Sequence, residues 1–273
     1  MLTLPAIRSK ATPPFLKWAG GKRWLTGRTS MQAPDEQGTY FEPFLGSAAM
    51  FFHLRPFQSV LSDANKSLIE AYQAIRADHE KVAAHLKKHA AKHSIEYYYI
   101  VRAMNCRTEF SRAAQFIYLN RTCWNGLYRV NKNGVFNVPV GTKLKVILDD
   151  DDFAGVARML KRCELSNADF ECQIDRAKSG DLIFADPPYT VRHKHNGFIK
   201  YNENLFSWED QVRLKEALLR AKIRGARIAL TNADHVSIRN LYEQDFSITE
   251  LSRYSAISGA SGSRGNYPEL LIE

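Results

Sequence analysis

The sequence predicts an α/β protein built on a doubly wound, mainly parallel sheet. Three observations carry that prediction. Short apolar runs that read as buried strands alternate with stretches of helical period. Several runs end in acidic or small residues (Glu42 to Gly46, Asp63, Asp186 to Tyr189), and the carboxyl ends of strands are where open α/β sheets bind ligands. A chain of 273 residues with 45% hydrophobic content can fill the core of one large catalytic domain and still carry an insert.

Residues 39–45 read as a strand that meets a glycine turn at Gly46, with a small-residue helix from Ser47 to about Leu54. Ser59 to Ser62 is a second short strand closed by Asp63, and Asn65 is placed to cap a helix running from Lys66 towards Arg76. Residues 80–119 look helical, with breaks near Ser94 and Cys106. The segment 120–146 is rich in Asn and Gly, and Asn133-Gly134 between residues 128–130 and 135–137 is a hairpin signal. An acidic patch at residues 149–152 opens a helix to about Lys161, and residues 164–167 form a short strand. Leu182 to Ala185 lies at the heart of the central strand, and residues 190–206 have no clear period. Ser207 starts a helix through Ile223, with Glu209 and Asp210 in the dipole-favoured first turn. Ala226 to Asn232 is another buried strand, and residues 246–251 and 269–272 suit an antiparallel pair.

The charge is unevenly spread. Between Lys81 and Val146 twelve Lys or Arg face only Glu96 and Glu109, a window of +10 in a chain of net +9. The remainder is therefore near neutral, at −1. Aromatic residues interleave with these cations, which points to a polyanion such as nucleic acid rather than a merely solvated face. No apolar run approaches a membrane span, and the N-terminus has no signal-peptide pattern. Cys106, Cys123, Cys163 and Cys172 form no C-x-x-C pair, so they read as free thiols of the cytoplasm. His193 and His195 lack a third ligand and read as surface residues, so no metal is expected.

Asp186-Pro187-Pro188-Tyr189 carries the chemistry. A planar base amine attacks poorly because its lone pair is delocalised into the ring. A carboxylate and a carbonyl held by stiff prolines can accept its two hydrogens and turn the lone pair out of plane. The tyrosine face can stack on the base. Gly20-Gly21-Lys22 lacks the frame of a phosphate-binding Walker loop. Asp63 suits a ribose hydroxyl pair or, equally on spacing alone, a helix cap.

Seven stretches then occur together: residues 15–22 (Phe-Leu-Lys-Trp-Ala-Gly-Gly-Lys), 42–47 (Glu-Pro-Phe-Leu-Gly-Ser), 61–65 (Leu-Ser-Asp-Ala-Asn), 118–121 (Tyr-Leu-Asn-Arg), 124–127 (Trp-Asn-Gly-Leu), 136–139 (Phe-Asn-Val-Pro) and 186–189. In that order and spread over nearly the whole chain, they resemble the Dam-type (D12 class) DNA adenine-N6 methyltransferases. The resemblance implies a class I S-adenosylmethionine-dependent methyltransferase fold. It also implies a catalytic domain of residues 1–65 and 147–273, with residues 66–146 inserted for target recognition. The substrate would be double-stranded DNA, methylated in GATC or a GATC-like site by a monomer in the cytoplasm, whether at the nucleoid or in a virus-infected host. By resemblance Asp186, Pro187 and Tyr189 are catalytic. Trp18, Lys22, Glu42, Phe44, Gly46, Asp63, Asp169, Phe170 and Asp186 contact the cofactor. Lys17, Trp124, Asn125, Leu127, Arg129 and Pro139 contact DNA. Phe198, Tyr201 and Phe206 resemble an aromatic lid. Two residues depart from the pattern: Trp124 stands where a tyrosine is more usual, and Thr142 where GATC readers often carry an arginine. Alternative readings are an RNA adenine methyltransferase, an amide or amino-group methyltransferase, and a catalytically silent DNA-binding relative.

Overall fold

In the computed structural model the described residues are 12–131, 134–190, 206–254 and 266–273. Seven strands form one sheet: β1 (Tyr40–Glu42), β2 (Ser59–Asp63), β3 (Cys163–Asn167), β4 (Leu182–Ala185), β5 (Arg227–Ala233), β6 (Ile248–Tyr254) and β7 (Asn266–Ile272). Their spatial order is β3-β2-β1-β4-β5-β7-β6. Strands β1 to β5 pair in parallel, while β7 runs antiparallel to both β5 and β6. The predicted mainly parallel sheet is thus present, and strand order reverses between β1 and β4, where such sheets open a crevice at their carboxyl ends.

The described helices are α1 (Ala49–Leu54), α2 (Lys66–Ala91), α3 (Ile95–Ala103), α4 (Glu109–Thr122), α5 (Phe153–Leu160), α6 (Phe170–Ile174), α7 (Trp208–Ile223) and α8 (Val236–Tyr242). Polar caps set most of their starts. Asn65 Oδ1 accepts from Leu68 N–H, Asp152 from Gly155 N–H, and Ser207 with Asp210 forms a reciprocal capping box. Helix α2 continues past the Arg76 expected from sequence. Asp78 leaves helical geometry (φ −158°, ψ 88°), and its carboxylate accepts from Lys81 N–H, so the chain restarts a second helical stretch across a kink. Helices α6 and α8 were not expected, because segments of five and seven residues are too short to show a 3.6-residue period. Among the described residues the expected hairpin shows the bridge Val130 to Phe136, flanked by Asn131 N–H to Val135 O at 2.8 Å and Asn137 N–H to Arg129 O at 3.1 Å.

The chain divides into two compact units. The first comprises residues 1–19, 47–55 and 71–161, and the second residues 20–46, 56–70 and 162–273. The whole sheet belongs to the second. On one of its faces Phe41, Val60, Ile183, Ala185, Ile228, Leu230, Leu270 and Ile272 alternate along their strands and are buried by Phe170, Ile174, Leu214, Leu218, Ile238 and Tyr242 of α6 to α8. Each full burial of a large apolar side chain contributes roughly 1.5–3 kcal/mol, so this face holds β4 and β5, and the motif that follows β4, in fixed register.

Candidate active site

The parallel register of β4 on β5 ends with Ala185 opposite Leu230, so the next residues, Asp186 and Thr231, fall side by side. Thr231 Oγ1 donates to Asp186 Oδ1 at 2.8 Å. Lys22 Nζ lies 2.8 Å from the same oxygen and 3.5 Å from Glu269 Oε2, and it donates to Gly20 O at 2.9 Å. Lys22 is only 3% exposed and Glu269 only 5%, so three acceptors surround an ammonium that cannot reach bulk water. Tyr189 closes the group: its hydroxyl donates to Glu269 Oε2 at 2.9 Å, and its ring lies 5.2 Å from Lys22 Nζ. Burial pushes the Asp186 carboxyl above its ordinary range. The Lys22 charge and hydrogen bond oppose that shift, Glu269 adds to it, and Thr231 opposes it.

A second set of residues lies at the ends of β1 and β2. Gly46 has φ +46°, and its N–H donates to Asp63 Oδ2 at 3.1 Å. Asp63 Oδ1 accepts from Asn65 N–H at 2.8 Å, and burial raises its carboxyl to about 6 against the pull of these two bonds. The cap of α2 is Asn65 rather than Asp63. Asn167 Nδ2 donates to the carbonyls of Asp63 and Ala64, fixing the end of β3 against that of β2. Glu42 is buried and accepts from Tyr40 hydroxyl at 2.8 Å. Phe44 stacks on Phe170 with ring centroids 5.3 Å apart, and Phe206 packs against both. The Arg213 guanidinium lies 4.4 Å from the Phe170 ring and pairs bidentately with Asp169. Phe198 and Tyr201 lie outside the described residues, as do His193 and His195. Among the described residues no cluster of three or more His, Cys, Asp or Glu is arranged to hold a metal ion.

The predicted DNA contacts, and Trp18, fall in the first unit. Asn120 clamps Lys17 through both backbone groups, accepting from Lys17 N–H at 2.9 Å and donating to Lys17 O at 2.7 Å. Trp18 stacks on Tyr128, with centroids 5.7 Å apart. Trp124 is 49% exposed, and Asn125 takes a left-handed conformation beside it (φ +54°). Gly141 lets the chain pass Cys123, since a Cβ there would meet Cys123 O at 2.4 Å. Leu127 is half-buried, whereas Pro139 and Arg129 are exposed. Arg129 Nε donates to Asn137 Oδ1 at 2.9 Å, which orients the guanidinium. Burial, a hydrogen bond with Lys143 and the charges of Lys143 and Arg121 lower Lys17 to about 8.

Glu269 and Thr231 were missed by sequence reasoning. The one local hint is a carboxylate at the head of the apolar run Leu270-Leu271-Ile272, a weak signal for a strand that buries a charge.

The fold and the acid at the carboxyl end of β4 define a class I methyltransferase architecture. Residues 18–257 match the family described as D12 class N6 adenine-specific DNA methyltransferase. The type II methyltransferase M1.LlaDCHI of Lactococcus lactis subsp. cremoris is 33% identical over 95% of this chain and 94% of its own. M.MjaIII of Methanocaldococcus jannaschii is 34% identical over 95% and 98%. A DNA adenine methylase of Vibrio cholerae is 30% identical over 94% of each chain. The chain belongs to the D12 class of adenine-specific DNA methyltransferases. No described helix is long and apolar enough to cross a membrane.

Proposed function

We propose that this enzyme transfers a methyl group from S-adenosylmethionine to N6 of an adenine extruded from double-stranded DNA, in GATC or a GATC-like site. The observation that carries this reading is the half-buried Asp186 carboxylate at the carboxyl end of β4, held by Thr231 and Lys22 and followed by two prolines and the Tyr189 ring. Asp186 and the Pro187 carbonyl accept the two amine hydrogens, and Tyr189 stacks on the base. Extrusion costs a few kcal/mol, offset by this stacking and by contacts to phosphate. When bound, the donor would supply a methyl group on a cationic sulfur, which would keep the carbon–sulfur bonding electrons as the methyl passed to nitrogen. The proton then shed by nitrogen leaves through Asp186, whose burial already favours holding one.

The second unit suits such a donor chemically. Each Asp63 oxygen accepts one described N–H, which leaves lone pairs for a ribose diol. Phe44 and Phe170 offer apolar faces for adenine, with Asp169 beside them and Glu42 and Gly46 at the turn. Lys22 and Trp18 complete the donor contacts. Three acceptors already surround the Lys22 ammonium, so a donor carboxylate there takes the place of one of them. DNA recognition is assigned to residues 66–146 within a frame of residues 1–65 and 147–273. Trp124 and Asn125 fill the space the base vacates, Arg129 reads a guanine edge with its donor fork, and Leu127 and Pro139 meet thymine methyls. Lys17 approaches the base beside the target. The enzyme acts as a monomer in the cytoplasm, where its four free cysteines stay reduced.

Transfer of tritiated methyl from the donor to duplex DNA, RNA and protein, side by side, tests the proposal. Label is expected only in adenine of duplex DNA, and Asp186→Ala should abolish it while DNA affinity stays within a few-fold. Preferential labelling of RNA or protein would refute the substrate assignment.

A further inference from the structure

We propose that Glu269 is a positioning residue for methyl transfer, tying the last residue of the motif to the lysine that pairs with its first. The inference rests on the catalytic reading of Asp186 and Tyr189 and extends it to a strand at the other end of the chain. Strand β7 places Glu269 opposite Ala233 of β5 and Leu251 of β6, in the carboxyl-end region of β5. From there one carboxylate oxygen serves two partners: the Tyr189 hydroxyl at 2.9 Å and Lys22 Nζ at 3.5 Å.

Each contact has a consequence. The Tyr189 bond pins the hydroxyl end of the ring, and together with Cβ this sets the direction of the ring axis on which the base stacks. The Lys22 contact shares one ammonium between two carboxylates. Without Glu269 the ammonium would keep Asp186 as its carboxylate partner beside the Gly20 carbonyl, and its charge would neutralise the acceptor that must grip the base amine. Among the described residues the groups facing Asp186 are Lys22, Glu269 and Thr231, and of these Glu269 pushes its carboxyl towards protonation. Removing the Glu269 charge must therefore move the Asp186 titration to lower pH. Burial makes the arrangement costly to hold without function: the Lys22 ammonium and the Glu269 carboxylate are both almost closed to water.

The test compares Glu269→Ala, Glu269→Gln and Asp186→Ala for kcat, for KM of DNA and donor, and for the pH profile of kcat, with thermal unfolding as a fold control. Glutamine keeps an acceptor for Tyr189 and removes the charge. The expected result is a kcat at least thirtyfold lower in Glu269→Ala with both KM values within threefold, and recovery to within tenfold of wild type in Glu269→Gln, its acid limb displaced to lower pH. Glu269→Ala with wild-type kcat and pH profile, beside an inactive Asp186→Ala, would overturn the positioning role alone. If Asp186→Ala is itself active, the catalytic reading falls and this proposal with it. Should Glu269→Ala fail to fold, Glu269→Gln decides, and an unmoved acid limb overturns the proposal.

Discussion

Replacing Asp63 by Asn separates the two roles open to a carboxylate at the end of β2. In the folded protein its oxygens accept Gly46 N–H at 3.1 Å and Asn65 N–H at 2.8 Å. Asparagine offers one acceptor oxygen, so its amide would face one of those donors and leave it unpaired, at a stability cost of about 1–3 kcal/mol. At roughly 2–4 °C per kcal/mol for a chain of this size, unfolding should move down by several degrees while remaining cooperative. If Asp63 also holds the donor's ribose, a further hydrogen bond to charge is lost, and the donor Kd should rise by roughly 5- to 150-fold, the equivalent of about 1–3 kcal/mol. The pH dependence adds a signature that stability alone cannot imitate. Burial raises the Asp63 carboxyl from 3.8 to about 6, so the folded state binds this proton more tightly than the unfolded chain. The group's contribution to stability is therefore fully present below 3.8 and lost as pH rises through about 6. Donor affinity has the opposite sign, because the ionised form accepts both hydroxyls: it should weaken below about pH 6, by up to tenfold per unit. Calorimetric titration with S-adenosylmethionine between pH 5 and 8 checks both effects. A wild-type affinity flat across that range, or an unchanged Kd in the Asn variant, would refute the ribose assignment.

Arg129→Ala should relax sequence choice at one base pair by about 1–3 kcal/mol, whereas Lys87→Ala should weaken all sequences alike, as sequencing of methylated random DNA would show. Thr142 gives no bidentate fork, so the wild type should already tolerate changes at the outermost pair of its site, and a strictly read four-base site would contradict this. Asp151→Ala should cost about 3–5 kcal/mol in urea unfolding, because it strands the Arg121 guanidinium, which is 1% exposed and, among the described residues, otherwise bonded to the Phe15 and Val146 carbonyls. DNA affinity at fixed salt should fall as pH rises through about 8, where burial and Lys143 make Lys17 lose its charge. Lys143→Ala should shift that fall to higher pH in anisotropy titrations.

Much of this protein is written locally in its chain. The strand runs, the caps at Asn65, Asp152 and Ser207, and the motif at residues 186–189 depend on periodicity and on hydrogen bonds spanning a few residues, so they can be read in order. What the sequence left open has a common cause. Lys22 in a flexible-looking glycine loop and Arg121 in a basic helix carry nothing local that predicts burial. Each is buried by segments distant in sequence, Arg121 by the carbonyl of Phe15 and the carboxylate of Asp151. Glu269 is 80 residues from Tyr189 and reaches it only because β7 inserts antiparallel between β5 and β6. Strand order is settled by competition between whole sheet pairings, which no window of sequence contains. The residues proposed to carry the chemistry were therefore legible in the chain, while the buried charges beside them were decided by which strands became neighbours.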